Sequence, residues 1–309
     1  MTITRPQALV LLEPKMSNIW FDAYPDFPTQ YTKFVNLRSA QKYKVTDYRM
    51  TGFGGPSDKA EGQPPAYDAP IFGGTKEYVP VKKALAYRIT EEMMRHELYG
   101  TVDRLERELM RSIVYQQEIS AALLLNNGFS TSIPVGSSEY TATGFDSLAL
   151  FSTAHTRLDG GTNQANKPST DVDLSVTGLQ NALIQFRTWK NDRGRPVDTR
   201  ARLLVIHPND EFTAAELVKS EYKPGTANND INEIKNMGIS YTVNQHLTDT
   251  DAWFLLGDQH DLNFIWDKRP YSQTWDSTDG SEVLNHMVVE SFAVGFGSWI
   301  GAYGSQGAS

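Results

Sequence analysis

The chain has no cysteine. Disulfides, thiolate metal sites and cysteine nucleophiles are therefore excluded, and the composition fits a reducing compartment. Long apolar runs are also missing. The patch at residues 8–12 is too short for the core of a signal peptide. Nothing approaches the ~18 apolar residues that a membrane span needs, so the chain reads as a soluble product of the cytoplasm. Excess positive charge is absent too, since the net charge is −8. A sequence-independent nucleic-acid binder would carry a basic surface to displace counterions. The local balance differs only at the start, where Arg5, Lys15, Lys33, Arg38, Lys42 and Lys44 outnumber Glu13, Asp22 and Asp26. That start suits an arm meeting an acidic neighbour, or simple variation in composition.

Catalytic motifs are missing as well. No P-loop, no G-x-S-x-G and no H-E-x-x-H occurs. "GFGSWIG" (295–301) is one residue too long for a dinucleotide fingerprint and reads as a glycine-bearing strand end. The six histidines share no i, i+2 or i, i+4 spacing. The acids of "DTD" (249–251) and "DQHD" (258–261) sit at strand boundaries, where Asp is a turn former. "DGGTNQ" (159–164) lacks the calcium-loop spacing. "HPND" (207–210) reads as a helix start capped by Asn209 or Asp210. No catalytic residue, metal ligand or cofactor site is assigned.

What is present is unusual in its order. Residues 1–42 show no period, carry Pro6, Pro14, Pro25 and Pro28, and are rich in aromatics: Trp20, Phe21, Tyr24, Phe27, Tyr31 and Phe34. Such a segment is too aromatic for a solvated tail. It predicts an extended arm that must dock on something, its rings having no evident core of their own. Residues 41–50 and 76–90 read as strands, the second interrupted by Pro80, which belongs at an edge or bulge. Between them residues 51–75 hold six glycines and four prolines. An unstructured connection beyond ~12–15 residues is usually functional or disordered. The span 43–89 thus predicts a two-stranded finger, reaching roughly 60 Å at ~3.3 Å per residue. A lone ribbon is marginal in water and needs a surface to lie on.

Residues 90–128 contain no proline. Met94, Leu98, Val102, Leu105, Leu109 and Ile113 step by three and four, which predicts one long helix of about 50 Å. Glu97, Glu106 and Glu108 are placed off that stripe. Thr90 is the expected cap, Gly100 a weak point, and Asn127–Gly128 the stop. The end "ISAALLLNNG" is apolar all round and should be buried. Residues 173–258 then alternate in period: a helix capped by Ser175, a strand at 202–208, a helix with Phe212, Ala215 and Val218 inward, and strands at 239–245 and 252–258. That pattern predicts a layer of helices on a sheet. Strand character returns at 263–269 and 282–296.

The segments "GFGGPSDKAEG" (52–62), "YRITEEMMRHELYG" (87–100), "QQEISAALLLNNGF" (116–129), "LALFSTAH" (148–155), "LTDTDAWFLLGD" (247–258) and "FGSWIGAYGS" (296–305), in that order, resemble the Mu-like prophage major head subunit family. That family has the Hong Kong 97-type capsid fold of tailed phages. The resemblance implies an α+β fold divided as follows: an N-terminal arm (1–42), an extended β-hairpin loop (43–89) and a peripheral domain with a spine helix (90–172). An α/β axial domain (173–258) and peripheral C-terminal strands (259–309) complete it. It implies a non-enzymatic head protein of the virion, made in the host cytoplasm and assembled from hexamers and pentamers around double-stranded DNA. Scaffold, portal, maturation protease and decoration proteins are the further partners of such shells; cofactors and membrane are not. The contact residues expected between subunits are Trp20, Phe21, Tyr24, Phe53, Tyr67 and Phe72. The alternatives are an encapsulin-like compartment, a hydrolase with dispersed metal ligands, or another virion module such as a tail protein.

Overall fold

The computed structural model describes residues 28–40, 42–90, 92–93, 100–222, 231–277 and 283–308. Three of the expected contact residues, Trp20, Phe21 and Tyr24, lie outside this set.

Eleven strands and three α-helices order themselves among the described residues as β1 (Asn36–Ser39), β2 (Val45–Met50), β3 (Phe72–Tyr78), β4 (Val81–Thr90), α1 (Thr101–Asn126), β5 (Tyr140–Thr141), α2 (Val176–Thr188), β6 (Ala201–Ile206), α3 (Glu211–Lys219), β7 (Ser240–Val243), β8 (Trp253–Gly257), β9 (Leu262–Asp276), β10 (Val283–Phe296) and β11 (Ala302–Ser305). They form three sheets. The first runs β1-β9-β10-β4, with β5 alongside the end of β10; the second runs β11-β8-β6-β7; the third is the ribbon β2-β3. The expected strand at 76–90 is split by Val79 and Pro80. Its first part pairs with β2 and its second with β10. Proline has no N–H to give a ladder, so the break falls where one sheet is exchanged for another. Pro270 works similarly. The β9–β10 pairing slips between Val289 and Phe292, opposite the stretch that contains it.

The predicted helix is interrupted at Gly100, and Met94 and Leu98 of its stripe lie outside the described residues. Gly100 adopts φ 65, a left-handed conformation that glycine reaches freely, and α1 starts immediately after it. Its 26 residues span about 39 Å. Thr90 still caps locally, since its Oγ1 accepts from the Met93 N–H at 3.3 Å. Val102, Leu109 and Ile113 are buried as expected, and so are Ala121, Ala122, Leu124 and Leu125 at the apolar end. Glu106 departs from expectation. At four residues beyond Val102 and three before Leu109 it sits on the inward face, fully buried. His286 Nε2 lies 3.1 Å from its Oε1, and the Tyr87 hydroxyl donates to its Oε2 at 2.9 Å.

Two contiguous cores result. One packs the end of α1 against β9 and β10 through Phe264, Trp266, Phe292 and Phe296. Tyr31, Phe34 and Val35 also belong to it. The expectation that arm aromatics find no core of their own is therefore corrected for Tyr31 and Phe34. Two devices bring them in. Glu118, on the buried face of α1, accepts the N–H groups of Gln30 (2.5 Å) and Tyr31 (3.0 Å), and β1 pairs in parallel with β9.

The second core lies between the β6–β8 sheet and helices α2 and α3. Ser175 caps α2 by accepting from Gly178 N–H, and Leu179, Ala182 and Phe186 face inward. In α3 the inward face is Ala214, Leu217 and Val218, while Phe212 is 83% exposed. Val218 is thus inward as expected and Phe212 is not; Asp210 stands at the N-cap of α3 without a side-chain cap hydrogen bond, and His207 Nδ1 caps the turn before it by accepting from Asn209 N–H. The chain's last strand also departs from its expected place: β11 pairs with β8 rather than joining β9 and β10.

Candidate subunit contact surface

Large apolar side chains that remain exposed are concentrated between residues 37 and 79. Leu37, Tyr43, Tyr48, Met50, Phe53, Tyr67, Ile71, Phe72 and Val79 are all outside the cores, and Tyr67 is 92% exposed. Apart from Leu37 they belong to the ribbon, its loop and its flanks. Exposed apolar side chains gathered along one stretch of chain are a candidate interaction surface. Phe53, Tyr67 and Phe72, expected as contacts from the sequence, all lie on it. The sequence reading passed over Tyr43, Tyr48 and Met50. The cue was available, because β2 alternates and its second face has no core to meet.

The stem of the ribbon is held by its own chain. Arg49 makes a two-pronged pair with Asp192, Nη2 to Oδ1 at 2.5 Å and Nε to Oδ2 at 3.0 Å, and also donates to Thr156 O. Arg38 pairs with Asp47 in the same fork geometry, and Lys44 with Glu77. A side chain at Gly73 would collide with Leu158 at 2.4 Å, so this strand approaches residue 158 as only glycine allows. The loop closes at Thr51 and Ile71. Thr51 N–H donates to Ile71 O at 2.9 Å, and Thr51 Oγ1 accepts from Ile71 N–H at 2.8 Å. The expectation that the whole finger takes its support from elsewhere is thereby corrected for the stem. Beyond the closure, residues 55–72 are exposed throughout.

Among the described residues two buried histidines are tied into hydrogen-bond networks. His155 has Asp146 Oδ2 at 2.6 Å from Nδ1 and Asn166 Oδ1 at 3.0 Å from Nε2. His286 has Thr274 Oγ1 at 2.8 Å and Glu106 Oε1 at 3.1 Å. Both nitrogens of both rings are engaged, which leaves neither imidazole a nitrogen to act as a base toward a substrate. Burial pushes the Asp146 carboxyl up, but the hydrogen bond from His155 and its charge bring it below the ordinary value. Burial raises the Glu118 carboxyl despite its backbone donors, and raises Glu290 to about 7. Glu290 sits beside Gln117, whose Nε2 donates to it at 2.7 Å. Among the acids of the short motifs Asp249 serves a turn, whereas Asp258 and Asp261 tie together segments distant in sequence. Asp261 Oδ2 accepts from Gly297 and Ser298 N–H, Asp249 from Asp251 N–H, and Asp258 from Arg200 N–H. Among the described residues no three His, Cys, Asp or Glu side chains could hold a metal ion together, and no helix is long and apolar enough to cross a membrane.

The comparisons with known proteins agree with this arrangement. In fold the chain is similar to the capsid of a native GTA particle, at 8% identity and a TM-score of 0.59, with 92% of each chain covered. It is similar to the capsid of cyanophage P-SCSP1u at 10% identity and a TM-score of 0.58, covering 90% of this chain and 87% of that one. The holo-SrpI encapsulin complex from Synechococcus elongatus PCC 7942 follows at 10% identity and a TM-score of 0.51, covering 91% and 88%. No curated protein matches. The family described as phage capsid protein matches residues 74–305, three quarters of the sequence. The chain belongs to the phage capsid protein family, as a major capsid protein.

Proposed function

We propose that this chain is the head subunit of a tailed phage or prophage of the Mu-like type, assembling through hexamers and pentamers into an icosahedral shell around double-stranded DNA. In this reading α1 is the spine of a peripheral domain completed by β9 and β10. The α2–β6–α3–β7–β8 layer (173–258) is the axial domain that gathers at the symmetry axes. The loop at the end of the ribbon (53–72) overlies a neighbouring copy, whereas residues 28–40 and the ribbon's stem belong to the body of their own subunit. Assembly takes place in the host cytoplasm, and scaffold, portal, maturation protease and decoration proteins are the partners that such a shell would engage. The protein turns over no substrate.

One observation carries this reading: Phe53, Tyr67 and Phe72 are 65%, 92% and 61% exposed on a loop that has no core of its own to bury them. Burying such rings against a second copy would stabilise association by about 1.5–3 kcal/mol each. The test is the triple variant Phe53→Ser/Tyr67→Ser/Phe72→Ser. It should yield folded, soluble subunits with wild-type circular dichroism and no shells in negative-stain images. Intact shells from this variant would refute the assignment. The fold likeness to an encapsulin supports a second reading, a protein compartment. Particles purified from a host in which the native cluster is induced separate the two: nuclease-protected double-stranded DNA belongs to a head, protein cargo to a compartment.

A further inference from the structure

The loop at residues 189–197 is built as a rigid platform. Asn191 N–H donates to Arg195 O at 2.7 Å and Val197 N–H to Trp189 O at 3.0 Å. Asn191 Oδ1 accepts from the N–H groups of Arg193 and Arg195, each at 3.0 Å. Trp189, at the root, is 2% exposed and its Nε1 donates to Ala165 O. The platform carries two charged side chains toward the ribbon. Asp192 takes Arg49, as described above. Arg193 reaches the point where the loop closes. Its Nε donates to Thr51 Oγ1 at 3.3 Å and Gly52 O at 3.2 Å, and its Nη2 donates to Ala69 O at 2.6 Å and Asp68 Oδ1 at 3.3 Å. Asp68 in turn accepts the Gly54 N–H through its other oxygen. A single guanidinium thus bonds both limbs of the ribbon, one on each side of the Thr51–Ile71 closure. Only a planar fork with several donors can do this; an ammonium is a point charge on a flexible stem.

We propose that Arg193 is a positioning residue for assembly: it fixes the direction in which the loop at 53–70 leaves the body, so that the layer carrying α2 and β6 sets the pose of the neighbour-binding loop. This rests on the reading of that loop as the contact with a second copy. Fixing the base removes conformational freedom before association, and the gain appears as a faster and tighter assembly step. The positioning role requires no contact between Arg193 and the neighbouring copy.

The experiment uses the full-length chain. Arg193→Ala should melt within a few degrees of wild type, because the side chain contributes to neither core. The backbone amides hydrogen-bonded at the closure, those of Thr51, Gly54 and Ile71, should exchange with deuterium at least tenfold faster. At equal subunit concentration the light-scattering rate of shell formation should fall about tenfold. Arg193→Lys should give intermediate values of both. Wild-type exchange and wild-type assembly in Arg193→Ala would overturn the proposal. Should that variant not fold, Arg193→Lys decides alone: amide exchange at Thr51, Gly54 and Ile71 must exceed wild type at least threefold, or the proposal falls. The triple serine variant separates the two ideas. If it assembles normally, the loop is not the contact surface. If it fails while Arg193→Ala behaves as wild type, the contact stands and the positioning role does not.

Discussion

Phe34 and Phe53 carry the same side chain within twenty residues of sequence, and the structure gives them opposite energetic roles. Phe34 is fully buried in the core formed by α1, β9 and β10, whereas Phe53 is 65% exposed. Truncating a buried phenylalanine to alanine costs about 3–5 kcal/mol, from lost transfer energy and the cavity left behind. Phe34 has neighbours on every side, and helix and sheet cannot both collapse onto the gap, so the upper half of that range applies. With an m-value of roughly 3 kcal/mol/M for a chain of this size, the urea midpoint of Phe34→Ala should fall by roughly 1.3–1.7 M. Phe53→Ala should leave the midpoint within ~0.2 M, since exposed substitutions stay within about 0.5 kcal/mol. The measurement is equilibrium unfolding of unassembled subunits, followed by tryptophan fluorescence. Sedimentation of shells from the same preparations should reverse the order per unit of lost stability, with Phe53→Ala soluble and stable yet assembling poorly. Phe34 acting between subunits would give the opposite result: an unshifted urea midpoint and lost shells. That outcome would refute the assignment of residues 31–40 to the body.

Glu290 gives a pH dependence. Its carboxyl rises from 4.5 to about 7 on folding because burial disfavours the charge. The folded state therefore binds the proton more tightly, and its contribution to stability, up to about 3 kcal/mol, is present below pH 4.5 and lost as pH rises through 7. Glu290→Gln should remove that slope, and parallel stability profiles for the two proteins between pH 4.5 and 7 would contradict the burial. Glu106→Ala strands the ring nitrogen of His286 and the hydroxyl of Tyr87, and should destabilise the subunit by about 3 kcal/mol in chemical denaturation. Gly100→Ala forces a side chain onto φ 65 and should cost about 1–2 kcal/mol, lowering the melting temperature although nothing lies within 4 Å of the added carbon.

Legibility in the sequence follows the range of the interactions. Periodicity is local, so the inward faces of α1 and α2 and the strand character of β6, β8 and β10 could be read directly. The cap at Ser175 is equally local. Three things were not legible. The fate of the ribbon stem depends on Arg49 meeting Asp192 and on Gly73 meeting Leu158, pairs far apart in sequence. The burial of Tyr31 and Phe34 depends on a carboxylate of α1, Glu118, taking backbone N–H groups that no pattern near residue 30 announces. Glu106 was misread for a different reason: residue type was allowed to outvote spacing, although the steps 102, 106, 109 and 113 placed it inward. The exposure of Phe53, Tyr67 and Phe72 was legible, because glycine and proline around them rule out a local core. Arg193 carried no local signal.

The same anchoring that holds the stem makes the free loop dispensable to the subunit, and this can be tested by shortening it. The hydrogen bonds at Thr51 and Ile71, and those of Arg193 to Gly52 and Ala69, close the base independently of what lies between. Residues 53–68 then form a free connection whose closure entropy varies only with the logarithm of its length. Removing residues 55–66 leaves a four-residue connection, two halvings of the original, and should stabilise the subunit by about 1 kcal/mol. Gly54 and Asp68 remain to bond one another across the shortened turn. Reach scales differently. At ~3.3 Å per residue, each limb loses about 20 Å of span. A loop serving the fold of its own chain would leave a destabilised subunit when cut; a loop serving a neighbour would leave a subunit of equal or greater stability that no longer makes shells. Calorimetry and negative-stain imaging of this one deletion variant distinguish the two, and a drop in melting temperature with intact particles would show that the loop belongs to its own subunit after all.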